Sequence, residues 1–452
     1  MSRKKTRLQS ITEGPKIRPD AAGIDISPEV IYVAVDPQRD ATPVRRFATF
    51  TGELYRIANW LKACGVRTVA MESTGVYWIP LFQVLEERGF EVYLVNARHY
   101  KNVPGRKTDV CDSAWLQYLH AVGLLQGSFR PSQEVCAFRT LLRHRGALVQ
   151  AASEHIQHMQ KSLDQMNVQI HRVLSDITGV SGLAMVDAIL AGERDGRRLA
   201  ALRQGGVRAS EERIVAALQG DYRAEHLFTL KQSLESYRHF QKLIGECDRQ
   251  VRQLLEQFDN KSDGGEPPAA RKSMRTAADD ALRREFHRVL GIDLTAIPSV
   301  NVRTVETLLG EVGPDLSRFR SAGAFAAWLG LCPGNEISGG KILSSKTRKV
   351  ANRLAAGLRM AAESLSRDKS YLGQFYRRMK SKLGAPKAIT AAAHKLARII
   401  YTLLTKREEY AESHFAAIEQ KNAEKQRQRL TRQARLLGYS LVPLAAPPVN
   451  VS

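Results

Sequence analysis

The order of extended and helical signals before residue 96 limits the possible folds of this chain more than any other feature. Residues 22 to 35 read as a strand, a Ser-Pro-Glu turn and a second strand, and Val44 to Phe50 adds a third extended run with Arg45 and Arg46 at its middle. Three strands joined by tight turns make an antiparallel meander. A helical stretch follows (Leu54, Ile57, Ala58, Leu61), then a strand from Arg67 to Met71 closed by Glu72, a helix from Val76 to Arg88, and a strand from Glu91 to Val95. Beyond the meander, helix and strand alternate, which implies parallel strands with helices packed on the sheet.

This order is that of an RNase H-like fold, and four carboxylates stand where such a fold needs acids. Asp25, in Gly-Ile-Asp-Ile, interrupts the first strand, and Glu72, in Val-Ala-Met-Glu-Ser, ends a later one before a Gly-containing turn. Asp109 and Asp112 open a segment with helical spacing (Ala114, Trp115, Leu116, Leu119), and their i,i+3 interval sets the two Cβ atoms roughly 5 to 6 Å apart on one face. The four suit a two-metal nuclease acting on nucleic acid. Cys111, between the two aspartates, is expected in the core, because hard oxygen-liganded ions do not need a thiol.

The charge balance indicates the partner. With 68 Lys and Arg against 46 Asp and Glu, the formal charge is +22, which favours a polyanion over a merely soluble surface or a basic tail. Nucleic acid is preferred to a membrane, since no apolar run reaches the roughly 18 residues of a spanning helix. The opening Met-Ser-Arg-Lys-Lys-Thr-Arg lacks a following apolar stretch, so no secretory signal is expected. Five scattered cysteines without a Cys-x-x-Cys pair point to reduced thiols in a cytoplasm and away from structural zinc.

The pattern divides the chain into an α/β domain (20–137), a helical region (138–258), a charged mobile linker (259–284), a second, mostly helical domain (285–402) and a basic tail (403–452). In the helical region, Leu227, Leu230, Leu234, Tyr237, Phe240, Ile244, Cys247, Val251, Leu254 and Phe258 step by three and four. This stripe reads as a coiled coil, which between chains would make at least a dimer, or as an amphipathic helix packed within its own chain. The tail reads equally as a solvated helix or as one that grips nucleic acid.

Two further segments carry chemistry. Ile297-Pro-Ser-Val-Asn301 ahead of Val305, Leu308 and Leu309 looks like a helix-hairpin-helix element presenting helix amides to a phosphate, with Ser299 and Asn301 in place of the usual glycines. Asn301 is the residue best suited to left-handed geometry, and a purely structural turn is the competing reading. Further on, Ser338-Gly339-Gly340-Lys341 is followed by Lys346, Arg348, Lys349 and Arg353. The glycines let backbone approach a ligand, and the cations can hold a phosphodiester. A serine hydroxyl alone is a weak nucleophile, so the spacing fits a phosphate-gripping loop as well as a reactive serine.

Gly23-Ile-Asp-Ile, Met71-Glu-Ser-Thr-Gly, Gly105-Arg-Lys-Thr-Asp-Val-Cys-Asp and Trp328-Leu-Gly-Leu-Cys-Pro-Gly through Ser338-Gly-Gly-Lys, in this order, resemble the insertion-sequence one-ten family of DEDD transposases. The resemblance runs over roughly residues 20 to 440, in the subgroup with the longer helical middle. It implies a RuvC-like domain binding magnesium, or manganese in its place, through Asp25, Glu72, Asp109 and Asp112, with Arg106 and Lys107 near the nucleic acid. It also implies a C-terminal domain whose catalytic serine matches Ser338, although Ile337 stands where many relatives have a small polar residue and Ser344 or Ser345 are stand-ins. The implied partners are donor and target duplex DNA, a guide (bridge) RNA, and further copies of the chain as a dimer of dimers in a bacterial cytoplasm, at the nucleoid during transposition. The competing enzyme reading is a RuvC-like structure-specific endonuclease that uses water and forms no covalent link.

Overall fold

The structure is a computed structural model; it describes residues 15–73, 75–96, 109–262, 265–268, 276–348, 350–440 and 442, without the side chains of 109–111, 342, 416–419 and 421–423. The chain forms two compact units, Met1–Arg130 and Pro131–Ser452.

The first unit is built on a five-stranded mixed sheet in the order β3-β2-β1-β4-β5. β1 (Ala21–Ile26), β2 (Val30–Ala34) and β3 (Val44–Ala48) pair antiparallel, and β4 (Thr68–Glu72) and β5 (Glu91–Val95) add in parallel beside β1. The meander and the parallel additions are thus as expected from the sequence. Between strands run α1 (Thr51–Ala63) and α2 (Trp78–Glu87), and α3 (Asp109–Ala121) follows β5. One sheet face buries Ile24, Ile31, Val33, Val69 and Met71 against Leu54, Ile57, Leu61, Leu81 and Leu85 of α1 and α2. The other face carries Ala70, Tyr93 and Val95, and α3 covers it with Leu116 and Leu119.

A polar hub holds the outer strand to α1. The Trp60 indole and the Arg45 guanidinium both donate to Asp40, at 2.8 and 2.7 Å. The hydrogen bond from Trp60, followed by the one from the Thr42 amide, holds the Asp40 carboxyl at a pKa of about 2. Arg45, conspicuous in the sequence, therefore braces the fold.

The second unit begins with two helices of 33 residues, α4 (Gln133–Gln165) and, after a helical cap, α9 (Ala224–Glu256). They lie antiparallel. Phe138 meets Phe258, Arg145 binds Asp248 at 2.6 Å, and the Ser162 and Thr229 hydroxyls are 3.0 Å apart. The cap consists of α5 (Ile170–Val173), α6 (Val180–Leu190), α7 (Gly196–Ala201) and α8 (Glu211–Ala217), whose apolar residues share a core with Leu163, Leu230 and Leu234. Leu230, Leu234, Ile244, Cys247 and Val251 of the apolar stripe are accordingly buried within their own chain. Its next member is Leu255, fully buried, where the sequence pattern suggested Leu254. The step of four from Val251 keeps Leu255 on the buried face.

The rest of the unit is α10 (Ala277–Leu290), α11 (Val302–Glu311), α12 (Ala322–Trp328), the hairpin β6 (Glu336–Ser338) and β7 (Lys341–Ser344), α13 (Arg353–Ser364), α14 (Tyr371–Leu383), α15 (Ala385–Lys406) and α16 (Ala416–Leu436). α15 is central, burying Ala388, Ala392, Leu396, Ile400 and Leu403. The span expected as a mobile linker, 259–284, already contains the first turns of α10, because Thr276 caps that helix through the Asp279 amide. Similarly, the second unit opens at Pro131, upstream of the boundary read at 137/138. The cause is α4, a helix that starts at Gln133 and belongs to the second unit.

Candidate nucleic-acid processing site

Asp25 and Glu72 are brought side by side by the parallel register of β1 and β4. The last pair of that register is Ile24 with Met71, and each acid is the next residue of its strand. Adjacent strands lie about 4.8 Å apart, and in-register neighbours point to the same face. Glu72 is buried and Asp25 half-buried.

The face is the one under α3, and Gly23 shows why. A Cβ on Gly23 would stand 2.2 Å from the Gln117 nitrogen and 2.3 Å from the Ser113 carbonyl oxygen, so helix backbone rests directly on strand backbone. Asp25, two residues along, shares that face. The Gln117 side-chain amide donates to the Ala21 carbonyl at 3.2 Å, and Thr68, at the start of β4, meets the His120 Nε2 at 2.8 Å. The end of α3 therefore lies over the strand starts and its beginning over the strand ends. Asp109 and Asp112 occupy that first turn, at the Asp25 and Glu72 end of the sheet. Ser113, Gln117 and His120 form no motif with the acids along the sequence; the glycine within Gly-Ile-Asp-Ile is the one sequence signal for this seat.

His120 is fully buried and its ring lies 4.8 Å from that of Tyr93. Burial, reinforced by the nearby Arg18 charge, lowers its pKa to about 4, so the ring is neutral near pH 7. It anchors α3 and is not among the acid ligands.

The donors fit a hard divalent cation in kind, being carboxylate oxygens throughout. Among the described residues no three of His, Cys, Asp and Glu converge as a closed cation site. The Asp109 side chain lies outside the described residues, as do Arg106, Lys107 and Lys349.

In the second unit Ser338 ends β6 and Lys341 begins β7, and the two are a cross-strand pair. Gly339 (φ 55°) and Gly340 (φ 76°) form a two-residue turn with both central residues left-handed, the arrangement that glycine supplies at little steric cost. Ser338 thus sits beside the tip of an exposed hairpin that also presents Ile337 and Leu343, at 62% and 70% exposure. Lys346 and Arg353 are exposed nearby in the sequence, whereas the Arg348 guanidinium donates to the Ala327 carbonyl at 3.0 Å. Ser344 and Ser345 line a groove that does not include Ser338.

At the turn before α11, Ser299 and not Asn301 is the left-handed residue, with φ 68°. Asn301 is extended and caps α11, its side chain accepting from the Thr304 amide at 2.9 Å. Capping explains the asparagine, since its carbonyl satisfies an amide that the first helical turn leaves unpaired.

The class that emerges is an acid-bearing α/β domain coupled in one polypeptide to a basic helical unit, an architecture for handling phosphodiesters. Residues 22–168 match the DEDD transposase family model of the IS110 type, and residues 293–377 match the model described as Transposase IS116/IS110/IS902 family, together just over half of the chain. The chain belongs to the IS116/IS110/IS902 family of transposases, enzymes of insertion sequences that cut and rejoin DNA. A divalent metal ion is implied by the DEDD domain. No curated protein matches the chain.

Proposed function

We propose that the chain moves its element by serine-mediated strand exchange. Asp25, Glu72, Asp109 and Asp112 would hold magnesium, which when bound stabilises charge on the scissile phosphate. The Ser338 oxygen attacks phosphorus, the bond to the 3′ oxygen breaks, and the serine proton ends on that leaving oxygen. A phosphoserine-linked strand and a free 3′-hydroxyl result. Attack by a 3′-hydroxyl from a partner strand then forms the new phosphodiester and returns the proton to Ser338, with no need for ATP. Lys341, across the strand from Ser338, favours an approaching phosphate.

The observation that carries this reading is that Asp25 and Glu72 each directly follow the last β1–β4 register pair, Ile24 with Met71, with the first turn of α3 over the same face. The RNase H-like assignment of the sheet, guidance by a bridge RNA and assembly as a dimer of dimers belong to the same proposal. The net charge of +22 suits a protein that holds an RNA and two duplexes.

The test incubates protein, guide RNA and labelled DNA with magnesium and resolves the products on a denaturing gel. A protein-linked DNA band is expected. Asp25→Asn should abolish cutting by more than 100-fold while leaving folding and RNA binding intact, and Ser338→Ala should remove the linked band. Cleaved DNA without a link would instead mean hydrolysis by water, and a persisting link in Ser338→Ala would move the nucleophile to Ser344 or Ser345.

A further inference from the structure

Beside the serine hairpin lies a groove of about 1650 Å³, formed by α15, by residues 343–347 and by the segment 408–415. Lys387, Lys395, Arg398 and Lys406 recur along α15 at steps of eight, three and eight, which keeps them on one side of the helix over about 28 Å. Lys346 adds a fifth cation from the opposite wall, and Glu408 is the one acidic residue among the described residues that line the groove. A polyanion is the complementary occupant.

The floor narrows the choice further. It contains Phe375, Ile399, Leu403 and Phe415. Lys395 sits 4.8 Å from the buried Tyr371 ring and 5.0 Å from the Phe375 ring, so a cation and an aromatic ring of the lining lie together. A duplex offers phosphates outward and keeps its base faces stacked inside, so an apolar floor gives it nothing. An unpaired strand offers both phosphates and base faces, and a basic groove with aromatic platforms is the surface that takes it.

We infer that this groove binds a short stretch of single-stranded DNA, roughly four nucleotides or more. The choice of DNA rests on the proposed role of the neighbouring hairpin, since β7 supplies Leu343 and Ser344 to the groove wall and pairs with the strand carrying Ser338. A strand freed by cutting would be held here for joining.

The test uses the full chain without added divalent cation, so binding is read separately from any serine adduct. Fluorescence anisotropy follows a labelled 12-nucleotide oligothymidylate, its duplex with oligoadenylate, and the matching oligouridylate. Lys387→Glu with Lys406→Glu should weaken single-stranded DNA binding at least tenfold. The slope of log K against log salt should become shallower by about 0.7 for each phosphate that is no longer neutralised. Duplex binding should fall less than threefold, with unchanged thermal unfolding. Unchanged single-strand binding, or an equal loss for duplex, overturns the proposal; a larger loss for RNA overturns the choice of DNA. On the unaltered protein, photocrosslinking of a 5-iodouracil strand should label peptides within 331–347 or 371–415, and labels confined elsewhere would refute the groove.

Discussion

At the residue scale, Gly23 sets the position of the acids without being one. Its missing side chain lets Ser113 and Gln117 rest on the strand, and any Cβ would have to displace helix backbone. Gly23→Ala should therefore destabilise the protein by about 3 kcal/mol, read as a lowered urea midpoint. His120 gives a second prediction. Its folded pKa of about 4 lies below the ordinary 6.5, so the unfolded chain binds the proton first as pH falls. The neutral ring's contribution is complete above pH 6.5 and is lost as pH drops toward 4, by up to about 3 kcal/mol. His171 and His394, also lowered by burial, act in the same direction. Urea titrations of the wild type and His120→Gln across this window should differ in slope, the variant being flatter; parallel curves would remove His120 from the account.

At the element scale, the apolar stripe of α9 shows what periodicity can reveal and what it leaves open. It gave the buried face of a 33-residue helix almost residue for residue, yet could not say which helix covers it, because a heptad-like pattern is the same for a partner in the same chain or another. The covering helix is α4, whose Leu148 and Ala152 pack near Ile244 and Cys247. Ile244→Asp should lower the unfolding midpoint by an amount that does not change with protein concentration; a loss that varies with concentration would mean that this stripe pairs between chains. Strand identities were legible for a similar reason, since period two and tight turns are local. The seat of α3 was not legible, because it depends on a glycine and the backbone of two α3 residues, Ser113 and Gln117, distant in sequence. Nor was the capping role of Asn301, for which left-handed geometry was the more obvious reading.

At the scale of the whole molecule, charge and carboxylates make separable contributions. A chain of net charge +22 that neutralises six to ten phosphates should lose about 10³ to 10⁵ in duplex affinity between 50 and 200 mM salt. Removing divalent cations with EDTA should abolish strand cutting and leave a filter-binding signal at fixed salt nearly unchanged. If EDTA left cutting intact, the carboxylates would have lost their assigned role. The sheet of the first unit also has two unlike sides. The side under α1 and α2 is built from large interlocking side chains, which can repack around a substitution. The side under α3 relies on the absence of bulk at Gly23. A laboratory seeking to redesign this protein can exchange apolar side chains of equal volume on the first side, while the second should tolerate almost no added atoms beneath its helix.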